Sequence, residues 1–411
     1  MYTDTMKQLR FPDNFLWGAS TSSHQVEGDT HNDWSEWEVS VKRMQELQST
    51  QDLERWGIEN FISGKAADHY NRYREDFALA QSLGHTATRF SIEWSRIEPE
   101  EGKIDVEAVR HYQDVIKVIR NLNMEPFVTL WHWTVPIWFR DKGGFTKREN
   151  ISYFVKYVET MVQALPEVRF WITLNEPEIY TSNSYLQGKW PPQYKSIIKT
   201  YTVIHNLIKA HRMTYDTIKK LQPNTQIGIA KNNIYFEAYK NLPWNVVIKK
   251  CSDWMWNRYF LNKIKGKQDF IGLNHYFHNR IKTTPNHNEN GRMSDLGWEL
   301  YPDALYHVLK ELTCYKKPIY ITENGLADAK DLQRPWFLKE SLQKMHQAIQ
   351  EGVDVRGYLH WSLMDNFEWA HGFWPRFGLI EINYQTQQRI PRPSAYVYKE
   401  ICEQNAVTVE E

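Results

Sequence analysis

Short runs rich in β-branched and aromatic residues alternate with amphipathic stretches along nearly the whole chain, and few folds accommodate that rhythm. Eight runs have the length and composition of buried parallel strands: 15–20, 87–92, 126–131, 170–174, 226–230, 269–273, 318–321 and 357–361. Between them lie helical patterns. Val109, Tyr112, Val115, Ile116, Ile119 and Leu122 recur at i, i+3, i+4 spacing, as do Val203, Leu207, His211 and Ile218 before Pro223, and Phe337, Leu338, Leu342, Met345 and Ile349 before Gly352. Eight strands alternating with helices in 411 residues predict an α/β chain folded as a single (β/α)8 barrel over residues 1–411, with its site at the C-terminal ends of the strands. An open doubly wound sheet usually carries a glycine-rich phosphate loop after its first strand, and neither GxGxxG nor GxxxxGKS occurs. The longest gap, from Ser20 to Ala87, reads as a long first βα loop with a polar stretch near 42–52 and a helical run through 70–83.

Charge narrows the partners. Fifty Lys and Arg balance 50 Asp and Glu, which disfavours a nucleic-acid partner and removes the whole-chain electrostatic reason to seek a membrane surface. No apolar run reaches the length of a spanning helix, and the first ten residues hold no apolar signal core. Cys251, Cys314 and Cys402 form no CxxC, so a reducing cytoplasm is the expected setting. Absence of HExxH, with His205 and His211 six apart on a helix, argues against a metal, and no cofactor is expected. The 18 Trp and 23 Tyr suit a neutral ligand with apolar and hydroxyl faces.

On a barrel, what matters is what each strand ends in. The first leads into Ser23-His24-Gln25, the second contains Arg89 and ends at Glu93-Trp94, and the third ends in Trp131-His132-Trp133. The fourth ends in Asn175-Glu176-Pro177, the sixth in Asn274-His275-Tyr276, the seventh in Thr322-Glu323-Asn324-Gly325 and the eighth in Trp361-Ser362. Glu176 and Glu323 stand on well-separated strands and can face each other across the rim. One carboxyl that protonates a leaving oxygen and a second that attacks carbon or activates water are what glycosidic cleavage needs. The plainer alternative is a pair of carboxylates capping the following helices. Arg89, inside a buried strand, needs an anionic partner, and Glu323 is the natural one, with Glu93 the competitor.

These residues resemble family 1 glycoside hydrolases, the β-glucosidase and β-galactosidase group, from about Phe11 to Ile401. The motifs are Phe11-Pro12 through Phe15-Leu16-Trp17-Gly18-Ala19 with His24-Gln25-Val26-Glu27-Gly28; Arg89 through Ile97; Thr173-Leu174-Asn175-Glu176-Pro177; Ile321-Thr322-Glu323-Asn324-Gly325; and Trp361 through Trp369 followed by Arg376-Phe377-Gly378. The resemblance implies a retaining exo-acting β-glycosidase acting through a covalent glycosyl-enzyme, with Glu323 as nucleophile and Glu176 as acid/base, about 5–5.5 Å apart. It implies that Gln25, His132, Asn175, Glu368 and Trp369 bind glycone hydroxyls and that Trp361 stacks under the ring. Arg89, Asn274 and Tyr276 would surround the nucleophile, and Trp298 and the 232–233 region would lie on the aglycone side. Glu176 rather than Gln implies O-glycosides, and Glu368-Trp369 implies unphosphorylated glycones. The implied partner is a small β-glycoside or short oligosaccharide, β-D-glucosides first and then β-D-galactosides and β-D-fucosides; a homo-oligomer stays open. Thr134, His275 and Glu93 depart from common family residues. The segments 262–269 and 325–334 are short where relatives often carry longer loops that shape the aglycone entrance, which leaves leaving-group specificity open. A transglycosylase with the same residues and a non-catalytic carbohydrate-binding protein are the competing readings.

Overall fold

The computed structural model describes residues 6–410. Its centre is a closed barrel of eight parallel strands in sequence order: β1 (Leu16–Ser20), β2 (Ala87–Ser91), β3 (Glu125–Thr129), β4 (Phe170–Asn175), β5 (Gln226–Asn232), β6 (Ile271–Asn274), β7 (Ile319–Glu323) and β8 (Val355–Trp361), with β8 pairing back onto β1. All eight predicted strands are present. Almost every residue in them is buried, because helices cover the outer face and side chains fill the inner one. The predicted helices are Val106–Asn121, Ile197–Leu221 and Arg334–Gln350. No helix among the described residues is long and apolar enough to cross a membrane.

The lower half of the barrel interior is an aromatic plug. Phe127 stacks on Phe170 at 4.3 Å, and Phe270 and Tyr320 pack edge-on around them. This plug fills the barrel from below, so the polar side chains above it face a cavity at the C-terminal ends of the strands.

Two features depart from the sequence reading. The polar stretch near 42–52 is helical over Val41–Ser49, capped by the Ser40 hydroxyl accepting from the Arg43 N–H at 3.2 Å, with Asp52–Trp56 following. Only Arg43 and Leu47 of the first helix are buried, so it carries no apolar stripe for a periodicity argument to find. Short strand pairs lie outside the barrel: Met6–Arg10 with Ala406–Glu410, Ile380–Asn383 with Gln388–Pro391, and Tyr235–Ala238 with His278–Ile281. The two short segments lie at opposite ends of the barrel: 262–269 comes before β6 and 325–334 after β7. Segment 262–269 leads into the start of β6, at the barrel end opposite the cavity, where the Lys267 carbonyl accepts from His211 Nε2 at 2.7 Å. Segment 325–334 follows β7 on the cavity's side, yet it supplies no residue to the cavity wall.

Candidate active site

A cavity of about 690 Å³ opens above the plug. Gln25, His132, Glu176, Tyr276, Glu323, Trp361, Glu368, Trp369 and Trp298 all line it, so the predicted groups converge from six strand ends and the loops that follow them. Asn175, Arg89 and Asn274 lie just beneath them, fully buried.

Local backbone irregularity places the two carboxylates. β4 breaks register between Ile172 and Asn175, and β7 breaks it between Ile321 and Glu323. A bulge lets successive residues turn toward the same side, where strict alternation would send one of them out to the helices. Glu176 then takes a left-handed conformation (φ 42°), which costs a non-glycine residue on the order of 1–3 kcal/mol. It occupies the N-cap position of the short helix Pro177–Thr181, but its side chain makes no capping bond. The capping alternative therefore fails for Glu176. Behind β7, a Cβ on Gly325 would meet the Trp361 carbonyl oxygen at 1.9 Å, so only glycine lets the nearby strand ends close together there.

Glu323 is held from two sides. Arg89 Nη1 donates to its Oε1, and Tyr276 Oη donates to its Oε2 at 2.7 Å. Arg89 is itself fixed by Nε donating to Thr129 Oγ1 (2.9 Å) and Nη2 to Asn175 Oδ1 (2.7 Å). Glu93, the competing partner, accepts instead from Ser23, Ser95 and Thr134. Thr134 thus complements Glu93, and the two departures from the common pattern form one contact. Burial pushes the Glu323 carboxyl above its ordinary value, while Arg89 and Tyr276 pull the other way.

Glu176 is pushed up to about 8, first by burial and then by the charge of Glu323. Of the two causes, burial is the larger. Two amides donate to its Oε1, Asn274 at 3.0 Å and Asn232 at 3.1 Å. Asn274 serves both carboxylates: its Nδ2 bonds Glu176, its side chain also pulls the Glu323 carboxyl down as expected of a group beside the nucleophile, and Thr322 Oγ1 donating to its Oδ1 at 2.7 Å fixes its orientation. Asn232, expected near the aglycone, also serves Glu176. The sequence reading ended β5 at residue 230; the strand runs two residues further and carries Asn232 to the rim.

The remaining wall is polar and aromatic. Burial, Glu323 and Glu176 push Glu368 up to about 8. Gln25 Nε2 donates to Asn366 Oδ1 and the Phe367 carbonyl, both at 2.9 Å, and its Oε1 has no partner within the protein. Because Asn175 Oδ1 accepts from Arg89, its Nδ2 donates to His132 Nε2 at 3.0 Å, which puts the imidazole proton on Nδ1. That Nδ1 is likewise unpartnered, and burial together with Arg89 keeps His132 neutral by holding its pKa far down. Trp369 packs on Trp133 and Trp34, both at 4.6 Å, while His132 stacks between Trp361 and Trp369. Trp298 stands by Tyr276 (6.0 Å) and Phe377 (6.1 Å) on the outer side. The sequence reading missed the mouth: Glu46 of the Val41–Ser49 helix accepts from Gln193 Nε2 at 2.9 Å, tying two loops across one edge. Among the described residues no cluster of His, Cys, Asp and Glu could hold a metal.

Paired buried carboxylates, one protonated near neutrality and one fixed by a cation, in a neutral aromatic cavity can perform acid-assisted displacement at a sugar carbon. The chain is similar to known proteins over almost its whole length. Residues 7–267 and 250–407 match glycosyl hydrolase family 1. A 1,4-beta-D-glucan glucohydrolase of Thermotoga neapolitana is 31% identical, the match covering 97% of this chain and 99% of the relative. Among solved structures, a beta-glycosidase from Pyrococcus horikoshii superposes with TM-score 0.88 at 37% identity, covering 98% of this chain and 96% of the other. A beta-glucosidase from Thermotoga maritima in complex with glucoimidazole superposes with TM-score 0.87 at 29% identity, covering 97% and 99%.

Proposed function

This chain belongs to glycosyl hydrolase family 1 and is a β-glycosidase, and on that premise we propose that it is a retaining, exo-acting enzyme for unphosphorylated terminal β-D-glucosides, accepting β-D-galactosides and β-D-fucosides. The carrying observation is the asymmetry of the carboxylates: Glu176 sits at about 8, and Glu323 is bonded by Arg89 and Tyr276 in the same cavity. We assign Glu323 as nucleophile and Glu176 as acid/base, on a single barrel domain that needs no cofactor.

In the first step, Glu176 gives its proton to the glycosidic oxygen while Glu323 attacks the anomeric carbon, and the aglycone leaves as an alcohol. Glu323 becomes a neutral ester. Its charge is one of the causes that raise Glu176, so Glu176 becomes more acidic once the ester forms and stays ionised to take a proton from water in the second step. Asn232 and Asn274 assist there, because an amide donor favours the ionised carboxylate. Trp361 offers a face to the sugar C–H groups. Asn175, Trp369, Glu368 and the unpartnered Gln25 Oε1 and His132 Nδ1 are the groups that hydroxyls would satisfy; Trp298 faces the aglycone. A phosphorylated glycone would add charge to a cavity that already pushes two carboxyls to about 8.

The test is the configuration of the first-formed product, followed by NMR during hydrolysis of an aryl β-glucoside. The β-anomer is expected to appear first; initial α-anomer would refute retention. Glu323→Ala should lose on the order of 10⁴ or more in kcat and, with azide, yield the α-azide. Glu176→Ala with azide should yield the β-azide.

A further inference from the structure

A neutral total conceals a segregated charge. Residues 189–269 hold fifteen Lys and Arg but only four acids, Asp216, Glu237, Asp253 and Asp269. Most of this segment forms two helices, Ile197–Leu221 and Pro243–Asp253, the second continuing through a wider turn into Tyr259–Lys263. Long side chains link the two: Tyr259 Oη donates to His205 Nε2 at 2.7 Å and Arg212 Nη1 to the Lys263 carbonyl at 3.0 Å, while within the second segment Trp254 packs on Tyr259 at 5.3 Å.

The outer face of this pair is apolar where a soluble surface should be polar. Ile197 and Ile198 are 77% and 78% exposed, Tyr201 64%, Met255 65% and Trp254 52%. Val247 and Trp244, at helical spacing above Cys251 and Trp254, continue the exposed stripe toward the start of the second helix. Isolated exposed side chains of this kind mean little, but a continuous patch on two adjoining helices marks a contact surface.

The flanking charges decide what covers it. Lys199 directly follows Ile198, its ammonium over the Tyr194 ring, Lys250 sits within the Val247–Trp254 stripe, and Lys209, Arg212 and Lys263 follow below. The four acids of the segment are already engaged: Asp253 with Arg258, Asp216 with Lys267, Asp269 with Lys219, and Glu237 with Arg280 and His278. Two copies of such a face would bring cation against cation, which disfavours a symmetric dimer. Aromatic and aliphatic side chains bordered by long cationic ones instead match a bilayer interface, where the former enter the acyl boundary and the latter reach anionic headgroups. We propose that this face docks the enzyme onto an anionic lipid surface. Leu186 and Tyr194, also exposed, connect it to Lys189 and Lys195 on the cavity wall, so the mouth would lie near the bilayer when the face is seated.

The test is co-sedimentation of the full chain with phosphatidylglycerol/phosphatidylcholine vesicles and with phosphatidylcholine alone, at about 50 mM and about 500 mM salt. Binding to the anionic vesicles is expected at low salt, with release at high salt and far weaker binding to the neutral ones. Lys250→Glu and Lys199→Glu should each weaken it roughly fivefold or more, and Ile198→Glu with Trp254→Glu should abolish it. All three variants should hydrolyse a soluble aryl β-glycoside at the parent rate, which separates this inference from the catalytic assignment. The proposal is overturned by no binding to anionic vesicles at low salt, by variants that bind as the parent does, or by a concentration-dependent dimer that Ile198→Glu dissolves.

Discussion

Glu176 keeps its proton even though two amides offer hydrogen bonds to its ionised form. Its value of about 8 against an ordinary 4.5 has a consequence for folding. The unfolded chain ionises this group first, so above about pH 4.5 the native state holds more protons than the unfolded one, and stability falls as pH rises toward 8. Glu176→Gln removes that penalty while its carbonyl still accepts from Asn232 and Asn274. Melting curves of parent and variant should coincide near pH 4.5 and separate above it, the variant gaining on the order of 2 °C or more at pH 8; a variant that melts earlier at pH 8 would contradict this origin. The same carboxyl sets the alkaline limb of kcat/KM. Asn232 pulls Glu176 down, so Asn232→Leu should move that limb upward by about one pH unit. An unchanged or lowered limb would dismiss the assigned contact.

At the level of elements, the site depends on how strands end. Gly325→Ala would drive a methyl into the Trp361 carbonyl, and the strand ends that carry Glu323 and Trp361 would have to separate. A loss of about 2–3 kcal/mol in chemical denaturation is expected, together with a fall in kcat; parent-like stability would show that the backbone yields freely. The eight strands were legible because a strand buried on both faces must be apolar throughout. The site was legible because polar residues interrupt those runs only at one end. What escaped had no such signal. Asn232 required the true end of β5. The helix Val41–Ser49 is mostly solvated and writes no period into the sequence. The pairs 235–238 with 278–281 and 380–383 with 388–391 are four residues per strand, too short for a period-two pattern to stand out. The register breaks of β4 and β7 are invisible in composition, yet they decide which way Asn175 and Glu323 point.

For the whole molecule, the two ends of the described chain meet beside the start of β1. Met6–Arg10 pairs with Ala406–Glu410, and Trp17 Nε1 donates to Asn405 Oδ1 at 2.9 Å. Deleting residues 405–411 should lower the melting temperature by several degrees and leave KM for an aryl glycoside nearly unchanged, because the clasp is remote from the cavity; a large KM change would place it in communication with the site. The basic face, whatever covers it, makes this a strongly polarised particle: 35 cations and 46 carboxylates remain outside residues 189–269. Near its isoelectric point of about 7.3, such a molecule is neutral to an electrophoresis gel but not to its neighbours. Opposite ends attract in dilute buffer, so added salt should first dissolve it and turn the osmotic second virial coefficient from negative to positive, the reverse of what a uniformly charged protein does.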